Sequence, residues 1–191
     1  ADVIERVMHT PRGPIISPAL DGLDTAISLS ATWLAPRPYR GLYSLHKAQS
    51  SEDMHRFFDQ GVVSTISFVY ALADGTIGWE FSSELPRRKK GWGLIPRPGW
   101  EPEAGWTGEL VDRESLPCGT DPAAGFYATA NNMPVPVDEE VYLGIDFLDG
   151  FRQRAIAEAL GGGDDWTVAS TAKLQLSTRS IPWELIRSTL L

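Results

Sequence analysis

The chain has 191 residues, 42% of them hydrophobic and 22% charged, an ordinary globular composition with enough apolar material for a core. Its 17 Lys and Arg against 25 Asp and Glu leave a formal net charge of -8, which argues against a nucleic-acid binder, because such proteins present a basic face to phosphates. No apolar run approaches the roughly 20 residues that span a bilayer, and a single cysteine, Cys118, excludes an internal disulfide framework.

In chain order, Asp2 to Met8 reads as a strand. Thr10-Pro11-Arg12-Gly13-Pro14 is a turn, and Ile15-Ile16 resumes pairing to make a hairpin. Asp21 to Asp24 is a second turn, and Thr25 to Thr32 alternates like a strand. Ser50 with Asp53 three residues on resembles a capping box, and Met54, Phe57 and Phe58 then share one helical face, with Gly61 closing the helix. Val62 to Leu72 is rich in β-branched and aromatic residues and reads as a strand. Asp74-Gly75 is the strongest hairpin signal, returning through Thr76 to Phe81.

Pro86 to Gly108 reads as mostly irregular, with Arg87 to Lys90 as a solvated basic loop tip. Phe126 to Ala130 reads as a strand leading into Asn131-Asn132. Asp146 to Leu160 has helical spacing and Gly161 suits a C-cap. Thr167 caps a helix through Leu176. Ser180, ahead of Ile181 and Pro182, caps a last one, since proline is tolerated in a first turn. The last helix stops at Leu191 with its apolar side still running and the chain opens directly in a strand, so 1–191 is expected to be one segment with both ends cut from a larger protein.

Conventional site motifs are few. His9, His46 and His55 lack the helical spacing of a metal pair, so each is expected to be a surface or packing histidine. Gly161-Gly162-Gly163 lacks the lysine and hydroxyl of a phosphate cradle, and no Gly-x-Ser-x-Gly elbow occurs. Cys118, between Pro117 and Gly119, has no activating neighbour in sequence. Some of the seven Trp are candidates for an apolar pocket. Asn131-Asn132 is either a turn or a source of hydrogen bonds to a developing oxyanion.

Several segments together resemble the large β chain of the penicillin amidase family of N-terminal nucleophile hydrolases. Tyr70-Ala71-Leu72-Ala73-Asp74-Gly75-Thr76-Ile77-Gly78-Trp79 resembles the family hairpin. Leu94-Ile95-Pro96-Arg97-Pro98-Gly99, followed by Trp106-Thr107-Gly108, resembles its Pro-x-Pro-Gly and Trp-x-Gly segment. Gly125-Phe126-Tyr127-Ala128-Thr129-Ala130-Asn131-Asn132 resembles its Ala-Asn-Asn strand. Gly150 to Ile156 and Leu174 to Ser180 resemble the helical segments that follow. The resemblance runs from about Ile4 onward, with the motifs in family order.

The resemblance implies an α+β fold, a portion of a four-layer αββα arrangement with antiparallel strands between outer helices. It implies hydrolysis of the amide bond of N-acylated amines, including penicillins and acyl-homoserine lactones, by an N-terminal serine whose own α-amino group serves as base. Asn131 matches the family's oxyanion donor. Arg152 matches an arginine that organises the site, with Arg154 as the competitor if the register slips.

Ala1 has neither hydroxyl nor thiol, so this chain is expected to hold no nucleophile and to be inactive alone. The chemistry needs no cofactor. A structural calcium ion is an expectation for the whole enzyme, with one ligand carbonyl near Gly93 too loosely matched to assign. Expected partners are the rest of the β chain, the α chain of the same precursor and an acyl amide substrate, with no nucleic acid and no membrane span. Unpaired strand edges also allow self-association. Ala1 to Arg12 lacks a leader pattern; the family resemblance implies a periplasmic or secreted enzyme. The alternative reading is a non-catalytic ligand-binding module on the same fold, motivated by the Trp- and Pro-rich stretch from Trp92 to Trp106.

Overall fold

The computed structural model describes residues 3–17, 22, 25–59, 65–91, 93–136, 141–163 and 165–191. Its centre is a three-stranded antiparallel sheet with one helix packed across it. Strand β3 (Ile66–Ala71) pairs with β4 (Ile77–Ser82), and β4 pairs with β7 (Cys118–Thr120). The β3–β4 hairpin turns at Asp74-Gly75 as expected. Gly75 adopts φ 97°, which glycine reaches without steric cost, and Asp74 Oδ1 accepts a 2.9 Å hydrogen bond from the Thr76 amide.

Helix α1 (Ser51–Phe58) begins where its cap places it: Ser50 Oγ accepts from the Asp53 amide at 3.1 Å, and Asp53 Oδ2 accepts from the Gln49 amide at 2.9 Å. Met54 and Phe58 are buried against Ile66, Phe68 and Tyr70 of the sheet, with Tyr39, Leu42 and Leu45 closing the cluster. Phe58 meets Phe68 edge to face, with centroids 5.2 Å apart. Cross-strand pairs finish both faces of the sheet. The Tyr70 ring fills the space where a Cβ on Gly78 would sit, and on the other face Trp79 stacks near Tyr127 and donates through Nε1 to Ser67 Oγ.

Around this unit lie smaller elements. Strands β1 (His9–Thr10) and β2 (Gly13–Pro14) make a short hairpin, and β5 (Pro86–Arg88) pairs with β6 (Trp106–Leu110). Arg12, at the tip of the first hairpin, donates to the carbonyls of Gly99 and Ala104 and so fixes the Pro-rich segment against it. Three helices follow: α2 (Phe151–Gly161), α3 (Val168–Gln175) and α4 (Ile181–Leu190). The caps on Thr167 and Ser180 form as expected, each side chain accepting from the backbone amide three residues on.

Five expectations change. Residues 3–8 form no strand, because the pairing they would need starts only at His9; Val3 and Ile4 are exposed. Thr25 to Thr32 makes a single bridge, Ser28 to Ile15, rather than a strand. Pro86 to Gly108 is less irregular than its prolines suggest: Pro86 opens β5, and Arg87 is held by Asp112 at 2.7 Å rather than free at a loop tip. Phe126 to Ala130 has no strand partner and is irregular. The Asp146 helix starts only at Phe151, where Asp149 Oδ1 accepts from the Phe151 amide, and it runs through Gly161 to a C-cap at Gly162 with φ -91°. The expected turn at 21–24, apart from Gly22, the closing Gly61 and the start of the Val62 strand lie outside the described residues.

Helices α2 and α4 are joined by charge. Arg179 grips both carboxylate oxygens of Glu184 at 2.8 and 2.9 Å and reaches Glu158 at 2.8 Å; Glu158 also accepts from Arg154. These hydrogen bonds, from Arg154 and then Arg179 for Glu158 and from Arg179 for Glu184, hold both carboxyls below the ordinary glutamate range. A depressed folded-state pKa contributes stability that is present above the ordinary glutamate value and lost as pH falls through the depressed one. Amide exchange in α4 is therefore expected to accelerate as pH drops below the ordinary glutamate range, and added salt is expected to weaken the same contact at neutral pH, since the groups are exposed. An α4 exchange profile insensitive to both would remove the network from the packing of α2 on α4. In the sheet unit, Phe58→Ala is expected to cost roughly 3–5 kcal/mol, read from the shift in urea midpoint.

Candidate active site

The two residues singled out as Asn131 and Arg152 are 21 apart in sequence and in contact in space. Segment 130–132 runs beside the entry to α2: Asn132 bridges Leu148 in parallel, and the Leu148 amide donates to the Asn131 carbonyl at 2.8 Å. Arg152 sits in the first turn of α2 and reaches back to this segment. Its Nη2 donates to the Ala130 carbonyl at 2.6 Å and to Asn131 Oδ1 at 2.9 Å.

That contact sets the orientation of the Asn131 amide. A guanidinium can only donate, so the atom facing it must be the carbonyl oxygen, and the Nδ2 hydrogens are turned away. Drawing electron density toward Oδ1 also makes the amide N–H a better donor. Asn131 is exposed and has φ 62°, a left-handed conformation uncommon outside glycine, which asparagine tolerates better than most residues.

The neighbouring asparagine is committed elsewhere. Asn132 Oδ1 accepts from the Ala130 amide at 3.1 Å and its Nδ2 donates to the Met133 carbonyl at 2.9 Å, so its amide braces the turn. Of the pair, Asn131 carries the outward donor. Arg154 turns along α2 to Glu158 at 2.8 Å and makes no hydrogen bond to the 130–132 segment. The register question left open by sequence is thus a matter of geometry, and Arg152 is the residue beside Asn131.

The Trp-rich stretch lies elsewhere. A cleft of about 610 Å³ is lined by Thr10, Arg12, Ile15, Ala26, Ser28 and Trp100, between the first hairpin and the Pro-rich segment; neither Asn131 nor Arg152 lines it. Beside Gly93, the nearest side chain is the Arg88 guanidinium.

Sequence reading missed a second polar cluster. Glu80 is buried, at 3% exposure. Its carboxylate is paired with Arg113 and lies 3.4 Å from His55 Nδ1. Cys118 faces it directly across the β4–β7 register. No local motif links positions 55, 80, 113 and 118. Only the strand register, with Glu80 on the helix-facing side of β4, brings them together.

The comparisons with known proteins match this architecture. Its fold is similar to that of thermostable penicillin G acylase from Alcaligenes faecalis, with a TM-score of 0.72 and 20% identity, covering 96% of this chain and 33% of that one. The fold is thus an α+β portion of the N-terminal nucleophile hydrolase arrangement. The penicillin amidase family model matches residues 1–190, and the chain belongs to the penicillin amidase family. It is 26% identical over 197 aligned residues to the acyl-homoserine lactone acylase QuiP of Pseudomonas aeruginosa, covering 93% of this chain and 22% of that protein. It is 33% identical over 116 residues to the penicillin acylase 2 proenzyme of a Pseudomonas species, covering 61% of this chain and 15% of that one. The chain therefore spans about a fifth or less of the length of these curated relatives.

The geometry yields a direct check. Arg152→Ala is expected to shift the side-chain amide resonances of Asn131 in a heteronuclear NMR spectrum, whereas Arg154→Ala is expected to leave them in place. Equal shifts from both would mean that the Arg152–Asn131 contact is not maintained in solution.

Proposed function

We propose that this chain is the segment of an acylase β chain that supplies the oxyanion donor for hydrolysis of N-acylated amines. The observation that carries the proposal is the outward-turned Nδ2 of Asn131, oriented by Arg152. Attack of a hydroxyl on an amide carbonyl converts its oxygen into an oxyanion, and a fixed N–H donor aimed at that oxygen lowers the barrier without reorganising during the reaction. Arg152 positions the donor and Asn131 makes the contact. We assign the attacking hydroxyl to an N-terminal serine in the part of the β chain outside this segment, the nucleophile that the family resemblance implies. The chemistry takes no cofactor.

The substrate class is that named for the relatives, acyl-homoserine lactones and penicillins, both of which present an acyl group on a secondary amide nitrogen. The partners are the remainder of the β chain and the α chain of a common precursor, in a periplasmic or secreted enzyme. Trp183, Leu185, Ile186 and Leu190 on α4 are exposed apolar residues, a surface suited to such a neighbour. Among the described residues, no helix is long and apolar enough to cross a membrane.

A non-catalytic binding module is the second reading, favoured by the cleft beside Trp100, which is 83% exposed. Activity separates the two. In the complete enzyme, Asn131→Ala is expected to lower kcat by roughly a hundredfold or more, while Arg154→Ala changes it by less than about threefold. The purified 191-residue chain is expected not to hydrolyse a chromogenic acyl anilide. Near-normal turnover by the Asn131→Ala enzyme would remove this residue from the mechanism, and turnover by the isolated chain would place a nucleophile within it.

A further inference from the structure

The buried Glu80 cluster has a composition that a simple ion pair does not require. Three donor atoms of different type, a His55 ring nitrogen, a Glu80 carboxylate oxygen and the Cys118 sulfur, all lie within 4.8 Å of one another. They come from three elements: α1, the central strand β4 and the edge strand β7. The register places Glu80 and Cys118 side by side on the sheet face that α1 covers. We propose that His55, Glu80 and Cys118 form a binding site for a thiophilic divalent cation of the zinc class, which clips α1 to the β4–β7 edge.

The donor set selects the cation. Thiolate and imidazole favour zinc, whereas calcium and magnesium take oxygen ligands, so a set containing Cys118 excludes the harder ions. Around a tetrahedral zinc ion the ligand atoms stand roughly 3.5 Å apart. The present spacing reaches that value by small side-chain rotations of His55, about a third exposed, and of Cys118, which is exposed at the sheet edge. That exposed side is also the entry path, and it leaves the fourth coordination position to water.

Arg113 does not close the site. Arg113 and His55 both approach Oε2 of Glu80; a carboxylate has about four acceptor sites, so Glu80 can keep its one Arg113 hydrogen bond while a remaining lone pair takes the metal. Arg113 also donates to the Phe81 carbonyl at 2.8 Å and lies 3.7 Å from Asp59, which anchors it independently of Glu80. It then serves as the outer partner that orients a ligating carboxylate. On binding, the Cys118 thiol loses its proton to solvent and the sulfur bonds to the cation. Burial, then Glu80, raises the Cys118 pKa, and a thiophilic cation bound there takes the place of that proton. On the same face the Tyr70 hydroxyl is buried without a hydrogen-bond partner, over Gly78, and a water on the ion is the kind of group it lacks.

The test uses the 191-residue chain, with zinc titrated against a chromogenic chelator and cadmium as a spectroscopic substitute. The expected result is one zinc per chain, a thiolate-to-cadmium charge-transfer band in the ultraviolet, and at least about a tenfold loss of zinc affinity in Cys118→Ser and in His55→Gln. Both substitutions are at exposed or half-exposed positions, and circular dichroism of the metal-free variants confirms that they fold. Zinc bound with unchanged affinity by Cys118→Ser, through other surface histidines, would overturn the proposal, as would the absence of the cadmium band in the unsubstituted chain.

Discussion

The arrangement of the candidate active site rests on one guanidinium. Arg152 bridges the carbonyl of Ala130 and the side-chain oxygen of Asn131, and through that bridge the first turn of α2 and the irregular segment 130–132 act as one piece. Without it, an exposed asparagine in a left-handed conformation would have free rotation about its side-chain bonds. With it, one end of the amide is committed to the protein and the other is available to a substrate. An oxyanion donor requires this because its contribution depends on being aimed before the charge develops.

The supporting structure can be followed outward from that point. Asn132 spends its amide on the backbone on either side, bracing the turn that presents Asn131. Asp149 caps the entry to α2 and so places Arg152. Further along α2, Glu158 is tied to Arg179 and thence to α4. The α1–sheet unit, with Met54 and Phe58 buried between helix and sheet, is a separate source of rigidity, and its buried Glu80 carboxyl group is paired with Arg113 and lies beside His55 and Cys118.

Much of this was readable in the sequence where the signal is local. Helix caps at Ser50, Thr167 and Ser180 and the turn at Asp74-Gly75 are decided by one to four neighbouring residues, and the structure has each of them. Strand identity was less legible. Residues 25–32 alternate and 126–130 read as a strand, but a side-chain pattern makes a strand only where a second segment pairs along it; 25–32 is met by one bridge, to Ile15, and 126–130 by none among the described residues. The reverse holds at Pro86 to Arg88, where proline-rich chemistry hides an edge strand that pairs through β6. The Asn131–Arg152 pairing was suggested by family motifs rather than by physics, since nothing local shows that residues 21 apart will touch. The Glu80 cluster was invisible for the same reason, its four members being joined only by sheet register.

The most direct test of the account is a double-mutant cycle in the complete enzyme, using Asn131→Ala, Arg152→Ala and the pair together. If Arg152 acts by orienting Asn131, its substitution alone lowers kcat by roughly 10- to 100-fold. Once Asn131 is gone, removing Arg152 then costs little, so the double variant falls within about threefold of Asn131→Ala. Losses that multiply would show that the two residues act independently, and the proposed role of the Arg152–Asn131 contact would be wrong.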